Sequence, residues 1–228
     1  HRIILLKNGD GQFFAPAWGF NSIPFWNLAE GYQVNMDEAF DYGIEGTPIP
    51  AGADVQLGPL WNLVAYFPMY DLDASAPDFY VLSSIIENVF IAKDVDGLFL
   101  SPRFRFSNMR DWTEGQGYQV KIEGEEGVTL NYPEPMEEMA FAQLGTDQEG
   151  YWTAPVSTSE NMSVLVASIS GVELGEGDQV AAFNAAGEVI GAGNIIDGRA
   201  GLAVWGDEKS TEAVEGVVEG DVFVLKLW

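Results

Sequence analysis

Two short segments place oxygen-bearing side chains at alternate positions before a glycine, which is Gly11 in one segment and Gly97 in the other. The donors are Asn8 and Asp10 in the first segment, and Asp94 and Asp96 in the second. This spacing is typical of the first half of a calcium-binding loop. Such a loop ends in a bidentate glutamate six residues after the glycine, where Ala17 and Arg103 stand here. The pattern therefore predicts a hairpin turn or, alternatively, a Ca²⁺ site. Ca²⁺ is the one candidate cofactor, and the sequence makes none certain.

The residue types needed for most catalytic mechanisms are scarce. The only histidine is His1, and there is neither a Gly-x-Ser-x-Gly elbow nor a phosphate-binding Gly-x-x-x-x-Gly-Lys loop. The 35 acidic residues leave a two-carboxylate glycosidase open, although each acid is better explained as surface charge. We therefore predict a non-catalytic protein.

Aromatic residues are numerous enough for a sugar-stacking surface, with seven tryptophans and eight tyrosines. Four of them recur at equivalent places in an internal duplication, namely Trp26, Trp112, Tyr32 and Tyr118. Recurrent aromatic residues in a repeat are usually core residues. Carbohydrate binding is therefore the alternative function.

Residues 3–36 reappear as residues 89–122 with a constant offset of 86, giving 11 identities in 34 positions. Unrelated segments of that length share about two. A strand-like apolar run, 61–68, precedes the second copy, but its counterpart would lie ahead of His1. We therefore expect the chain to begin partway through a repeat unit and to leave a strand position vacant beside the first copy.

Both ends of the chain are apolar without alternation, which predicts strands that are covered on both faces. A bare strand edge of this composition would pair with another chain. The candidate assembly residues are Ile3, Ile4, Leu5, Leu6, Phe223, Leu225, Leu227 and Trp228. Strand exchange between copies of the chain would give a head-to-tail homopolymer, with the C-terminal run as one candidate donor. Alternatively, the rest of a longer polypeptide supplies the strand.

Composition excludes several classes of partner. A net charge of -25 repels nucleic-acid phosphates, so we predict no nucleic-acid binding. The absence of cysteine excludes disulfides and thiolate metal sites. No run of 18 apolar residues occurs, so we predict no membrane span.

Turn signals between short apolar runs predict a mainly β protein. We expect tandem small β-rich repeat units, one short helix within 76–88, and a C-terminal β-sandwich or jelly-roll-like module. The predicted domains are a partial repeat unit at 1–58, a complete unit at 59–135 and the C-terminal module at 136–228.

Two sets of motifs resemble known bacterial modules. The first set comprises Trp61–Tyr66, Lys93–Asp94, Asp96–Gly97, Pro102, Gly115–Lys121 and Leu130–Pro133. It is similar to a repeat of large secreted and surface-anchored proteins from Bacteroidetes-like and other environmental bacteria. The second set comprises Asn161–Val166, Gly177–Phe183, Val204–Glu208 and Leu225–Trp228. It resembles the β-module that often adjoins that repeat. The resemblance implies an extracellular or cell-surface, non-catalytic module for attachment or secretion within a larger polypeptide.

Overall fold

The described part of the chain forms sixteen β-strands and four single-turn 3-10 helices, which confirms the predicted mainly β class. The computed structural model describes residues 2–41, 43, 45–136, 150–158, 160–208 and 214–228.

The chain divides into two compact units. The first comprises His1–Lys93, Leu100–Phe106 and Asp111–Phe141, and the second comprises Asp94–Phe99, Ser107–Arg110 and Ala142–Trp228. The predicted domains 1–58 and 59–135 thus fall largely in one unit.

Both copies of the duplicated segment form antiparallel sheets. The first copy contributes β1 (Ile3–Lys7), β2 (Phe13–Ala15), β3 (Phe20–Asn21) and β4 (Gln33–Met36). Next along the chain come β5 (Val55–Leu57), β6 (Leu60–Ala65), β7 (Val89–Lys93), β8 (Phe99–Ser101), β9 (Phe106–Ser107), β10 (Gly117–Ile122) and β11 (Val128–Leu130). The first sheet has the order β3-β2-β1-β4 and the second has the order β6-β10-β7-β8-β9, while β11 and β5 pair separately.

Backbone hydrogen bonds confirm that the two copies share one fold. Asn8 N donates to Gln12 O at 3.0 Å, and the equivalent bond from Asp94 N to Leu98 O is also 3.0 Å. In each copy a 3-10 turn follows, Pro16–Trp18 or Pro102–Phe104, and ends in a left-handed residue. Proline suits the first position of such a turn because its missing N–H would have no partner there. The duplication is therefore structural as well as sequential.

The predicted helix within 76–88 is wrong as an α-helix. The structure instead has two 3-10 turns, Tyr80–Leu82 and Ile86–Asn88, and Phe79 adopts a left-handed φ of 46° that interrupts α-helical geometry. Phe79, Leu82 and Ile85 are all buried. Their spacing is three residues, which matches the three residues per turn of a 3-10 helix. The apolar residues of this segment therefore follow the three-residue period of a 3-10 helix and not the 3.6-residue period of an α-helix.

The C-terminal module forms one antiparallel sheet in the order β12-β15-β14-β13-β16. Its strands are β12 (Asn161–Val166), β13 (Gln179–Phe183), β14 (Val189–Ile196), β15 (Arg199–Trp205) and β16 (Val224–Leu227). Its core contains Val180, Ile190, Leu202 and Val204, with Leu227 packed against them. The β character is as predicted, and this antiparallel arrangement, with side chains of β13, β14 and β15 in one core, is compatible with the predicted sandwich-like module.

The turn between β7 and β8 belongs to the second unit and packs tightly there. Gly97 has a φ of 78° and lies against Ala203 so closely that an added Cβ would overlap the Ala203 side chain. Gly11, the equivalent residue of the first copy, has a φ of 76°, and nothing in the described structure lies within 4 Å of its virtual Cβ. The two glycines share a backbone conformation but differ in packing.

Gly97→Ala should therefore destabilise the protein more than Gly11→Ala. Both substitutions carry the cost of a left-handed alanine, about 1 kcal/mol, and only Gly97→Ala adds a steric overlap, worth about 1–3 kcal/mol more. Urea unfolding of the two variants measures the difference directly. Equal unfolding midpoints would show that Ala203 moves aside without cost.

Candidate functional site

The two sheets of the repeat differ by one strand. The offset of 86 maps β1, β2, β3 and β4 onto β7, β8, β9 and β10, so the second sheet is the first with β6 added. Strand β6 lies along β10, but within the described residues no strand lies along the outer edge of β4. Its residues Gln33, Val34 and Asn35 are all exposed. The structure thus has an open strand edge where its own second copy has a covered one.

The hydrogen-bonding direction of β4 can be deduced from its neighbours. Asp37 N donates to Arg2 O, just beyond the pairing of β4 with β1. Since backbone groups alternate in direction along a strand, Asn35 and Gln33 also point to β1, and Val34 points to the open side. In the second copy, Gln116 O accepts a hydrogen bond from Tyr66 N on the side of β10 along which β6 lies. This side is equivalent to the open side of β4.

Residues that are core in the second copy are exposed in the first. Val34 is 48% exposed, whereas its equivalent Val120 is 0% exposed. Phe20 is 43% exposed, whereas Phe106 is 1% exposed. Full burial of such a side chain stabilises a fold by about 1.5–3 kcal/mol, so the first copy leaves part of this gain unrealised. Each of these two pairs has the same residue type in both copies, so the difference in exposure comes from the surroundings of the side chain.

Trp112 shows how the second copy is covered. Its ring stacks on Tyr118 with centroids 3.8 Å apart. Tyr66, which directly follows β6, meets Trp112 edge-on at 6.2 Å, and Tyr132 does so at 6.4 Å. The Tyr132 hydroxyl donates to Ala65 O at 2.8 Å, which ties this group of rings to the end of β6. Trp112 is 0% exposed as a result.

Trp26, the equivalent residue of the first copy, has only part of this surrounding. It contacts Tyr32 edge-on at 4.6 Å, and the Tyr32 hydroxyl accepts a hydrogen bond from Asn27 N at 2.8 Å. The second copy has the same bond, from Thr113 N to the Tyr118 hydroxyl at 3.1 Å. Trp26 is nevertheless 64% exposed. The prediction that all four recurrent aromatic residues are core is therefore wrong for Trp26.

The exposed face around Trp26 is also more apolar than its counterpart. Phe25 and Leu28 are both highly exposed, and the equivalent residues of the second copy are Asp111 and Glu114. Contiguous exposed apolar residues are typical of interaction surfaces in soluble proteins. We define the outer edge of β4 together with Phe25, Trp26 and Leu28 as the β4 surface.

The predicted N-terminal assembly residues lie next to this surface rather than in it. Ile3, Ile4, Leu5 and Leu6 belong to β1, which pairs with β2 on one side and β4 on the other. Leu6 is buried, whereas Ile4 is half-exposed within the chain itself. Strand β1 is an inner strand, and the open edge belongs to β4.

The predicted C-terminal assembly residues belong to their own sheet. Strand β16 pairs with β13 through Val180 and Leu227, and Gln179 and Trp228 exchange two backbone hydrogen bonds. Phe223 and Leu227 pack against the core of the module, whereas Leu225 and Trp228 remain exposed. Donation of this strand would require it to leave β13.

The candidate calcium ligands build turns. Asn8 Oδ1 accepts a hydrogen bond from Gln12 N at 2.9 Å, and Asp94 Oδ1 accepts the equivalent bond from Leu98 N at 2.9 Å. Asp96 forms an ion pair with Arg110 at 3.3 Å. In the part of the chain that the structure describes, no three acidic or histidine side chains come together as a metal site, so neither Asp10 nor Asp96 completes one.

Burial raises the pKa of Asp94 to about 6, and the nearby charge of Asp96 adds to the shift. A raised pKa means that the fold disfavours the carboxylate relative to the neutral acid. The equivalent residue, Asn8, accepts the same hydrogen bond without a charge. The turn therefore needs the oxygen atom of residue 94 rather than its charge.

None of the described helical segments is long and apolar enough to cross a membrane. Comparisons with protein-family models, with curated proteins and with solved structures found no match.

Sequence reasoning expected a vacant strand position but did not identify β4 or the exposure of Trp26. The alignment of the two copies contained the signal. It pairs Val34 with Val120, so β4 is the strand that corresponds to β10, along which β6 lies. A vacant lead position should uncover the strand that the lead would contact, which is β4.

Asp94→Asn should stabilise the protein at neutral pH by about 2 kcal/mol. Because the folded pKa of about 6 exceeds the usual 3.8, the stabilisation by wild-type Asp94 is full below pH 3.8 and is lost as the pH rises through about 6. Asparagine keeps the acceptor and does not titrate. Unfolding midpoints from pH 3.5 to pH 8 should therefore diverge with rising pH.

Asp10→Asn is the matched control, since Asp10 is the exposed equivalent of Asp96 in the first copy and is not among the charges that act on Asp94. Its unfolding midpoint should not rise with pH relative to the wild type. The comparison should be run in chelator and in excess calcium. An increase of the wild-type unfolding midpoint in calcium, with no such increase for Asp94→Asn, would favour the calcium site over the simple turn.

Proposed function

We propose that this chain is a non-catalytic structural or adhesive module that joins another polypeptide segment by strand addition at the β4 surface. Copies of the chain are the first candidate partner, and repetition of one head-to-tail contact would give a filament. One observation supports this proposal above the others. The edge and core positions that β6 covers in the second copy are open and exposed in the first.

The chemistry of β4 favours pairing. Its four residues, Gln33–Met36, include no charged residue and no proline. Natural proteins usually protect an exposed edge with lysine, proline, a bulge or a covering loop, because unpaired N–H and C=O groups recruit other strands. Main-chain hydrogen bonds at such an edge supply affinity, and pockets for alternate side chains supply register.

The net charge of -25 shapes how assembly should depend on salt. Like-charged copies repel one another over about 8 Å at physiological ionic strength and over longer distances in dilute salt. The β4 strand itself is neutral, so the repulsion comes from the rest of the surface. Self-association should therefore strengthen as salt rises.

An extracellular or cell-surface location forms part of the proposal. It is supported by the resemblance of motifs such as Trp61–Tyr66 and Gly115–Lys121 to those of secreted bacterial proteins. A stable β-module that presents an adhesive edge suits attachment outside the cell, where the rest of a longer polypeptide would be the other source of the added strand.

Val34→Lys should abolish concentration-dependent self-association. The substitution places a charge where the second copy buries Val120 completely, and a buried unpaired charge is costly. Val34 is half-exposed in the isolated unit, so the variant should fold normally. Sedimentation velocity across a concentration series, with electron microscopy of the most concentrated samples, measures the change.

Gln33→Lys is the matched control because it adds the same charge on the same strand. Its equivalent, Gln119, remains partly exposed in the covered sheet, so Gln33→Lys should still associate. Association that survives Val34→Lys would exclude the β4 surface, and a monomeric wild type at all concentrations and salt levels would contradict self-assembly.

Carbohydrate binding by the second unit is a second candidate function. Tyr151 and Trp228 are both more than half exposed and stack in parallel, with centroids 4.9 Å apart. The same unit contains an open groove of about 870 Å³ whose lining includes Trp152, Gln179 and Asn194. Aromatic rings beside amide groups are a common arrangement in ligand sites.

Trp228→Ala should abolish retention on polysaccharide if this second function holds. Trp18→Ala is the control, since Trp18 is even more exposed than Trp228 but lies in the first unit. Glycan arrays and affinity electrophoresis in polysaccharide gels supply the measurement. Equal retention of both variants, or no retention of the wild type, would remove this candidate.

A further inference from the structure

We infer that the partner of the β4 surface is a repeat lead segment of the Leu60–Phe67 type, added antiparallel to β4 in the register that β6 takes on β10. This inference rests on the proposed function and specifies its partner. The evidence is the second copy itself, which shows the same strand with its edge occupied.

The register follows from the duplication. On β10, Val120 lies opposite Asn62, and Ile122 lies opposite Leu60. With the offset of 86, an added segment would place its Asn62-type residue opposite Val34 and its Leu60-type residue opposite Met36. A shift by one residue would exchange the two faces of the added strand and place its apolar side chains in solvent.

The backbone of β4 is suited to this register. Gly31 N already donates to Leu63 O of the chain's own β6, on the side away from the open edge. Tyr32, Val34 and Met36 alternate with it and direct their backbone groups to the open side. The added strand would therefore find unpaired groups at the same alternate positions that β10 presents to β6.

Two aromatic residues of the lead segment would meet residues in the first copy that are equivalent to those they contact in the second. Tyr66 would bring its ring to Trp26, as it does to Trp112 in the second copy. Trp61 lies 5.1 Å from Lys93 Nζ, and the first copy retains a lysine at the equivalent position, Lys7. The lead segment is thus complementary to the first copy in its side chains as well as in its backbone.

Two strands of the chain itself fit less well as donors. The chain's own β6 is occupied on both sides, by β10 and by a bridge between Val64 and Glu30. Strand β16 is paired with β13, and Trp228 rather than a tyrosine directly follows it. We therefore assign the partner as a further lead segment of the same chemistry, held by another repeat.

A synthetic peptide of residues 58–69 tests this inference on the full-length chain. Labelled peptide should bind the wild type with saturable fluorescence anisotropy, and Val34→Lys in the protein should weaken binding at least about tenfold. A peptide with Tyr66→Ala should also bind about tenfold more weakly, because it loses the ring that covers Trp26. A peptide of residues 222–228 serves as the alternative donor.

Disulfide trapping then tests the register, which is practical because the chain contains no cysteine. Val34→Cys protein should cross-link to a peptide carrying Asn62→Cys at least about ten times faster than to one carrying Leu63→Cys, since opposite residues lie within disulfide reach. Equal rates, or preferential trapping of the Leu63→Cys peptide, would overturn the register.

The outcomes separate this inference from the proposed function. Peptide binding in register by a chain that stays monomeric would support the lead-segment partner and overturn self-assembly. Self-association sensitive to Val34→Lys, with no binding of peptide 58–69, would overturn the lead-segment partner and leave assembly standing. Binding of peptide 222–228 alone would overturn the inference in favour of β16.

Discussion

The covering of β10 by β6 is the constraint on which the repeat unit depends. It pairs the strand edge from Gly117 to Ile122, and it carries Tyr66 to the ring of Trp112. Backbone pairing and aromatic burial therefore come from one segment. A unit that has this segment closes its core, and a unit that lacks it exposes the same residue types. This dependence explains why nearly identical hydrogen bonds in the two copies coexist with different burial.

Interactions between residues close in sequence form in both copies, whereas burial by a covering strand occurs in the second copy. The turn at Asn8, the 3-10 turn Pro16–Trp18 and the bond to the Tyr32 hydroxyl all form in the first copy, although Trp26 is exposed. They depend on residues close in sequence, whereas burial depends on a strand from a distant part of the chain. A duplicated unit can therefore keep its backbone while its core remains available to a partner.

Sequence reasoning reached the strands but not their exposure. Turn glycines and apolar runs are local signals, and the strands β7, β10 and β13 form where such runs lie in the sequence. The exposure of Trp26 could not be predicted from composition, since Trp112 is the same residue type in a similar context. The 3-10 turns were missed for a local reason, as spacings of three and four residues overlap in a short segment.

The duplication also separates what a residue does for the fold from what its charge could do for function. The spacing of Asp94 and Asp96 is that of calcium ligands, yet Asn8 closes the equivalent turn with the same hydrogen bond as Asp94 and without a charge. A role shared by both copies belongs to the fold. A difference between copies needs another cause, and on either side of Trp26 the first copy has exposed Phe25 and Leu28 where the second copy has two acidic residues. Contiguous exposed apolar side chains are typical of interaction surfaces, and in the second copy the segment that covers Trp112, the equivalent of Trp26, is a strand followed by a tyrosine.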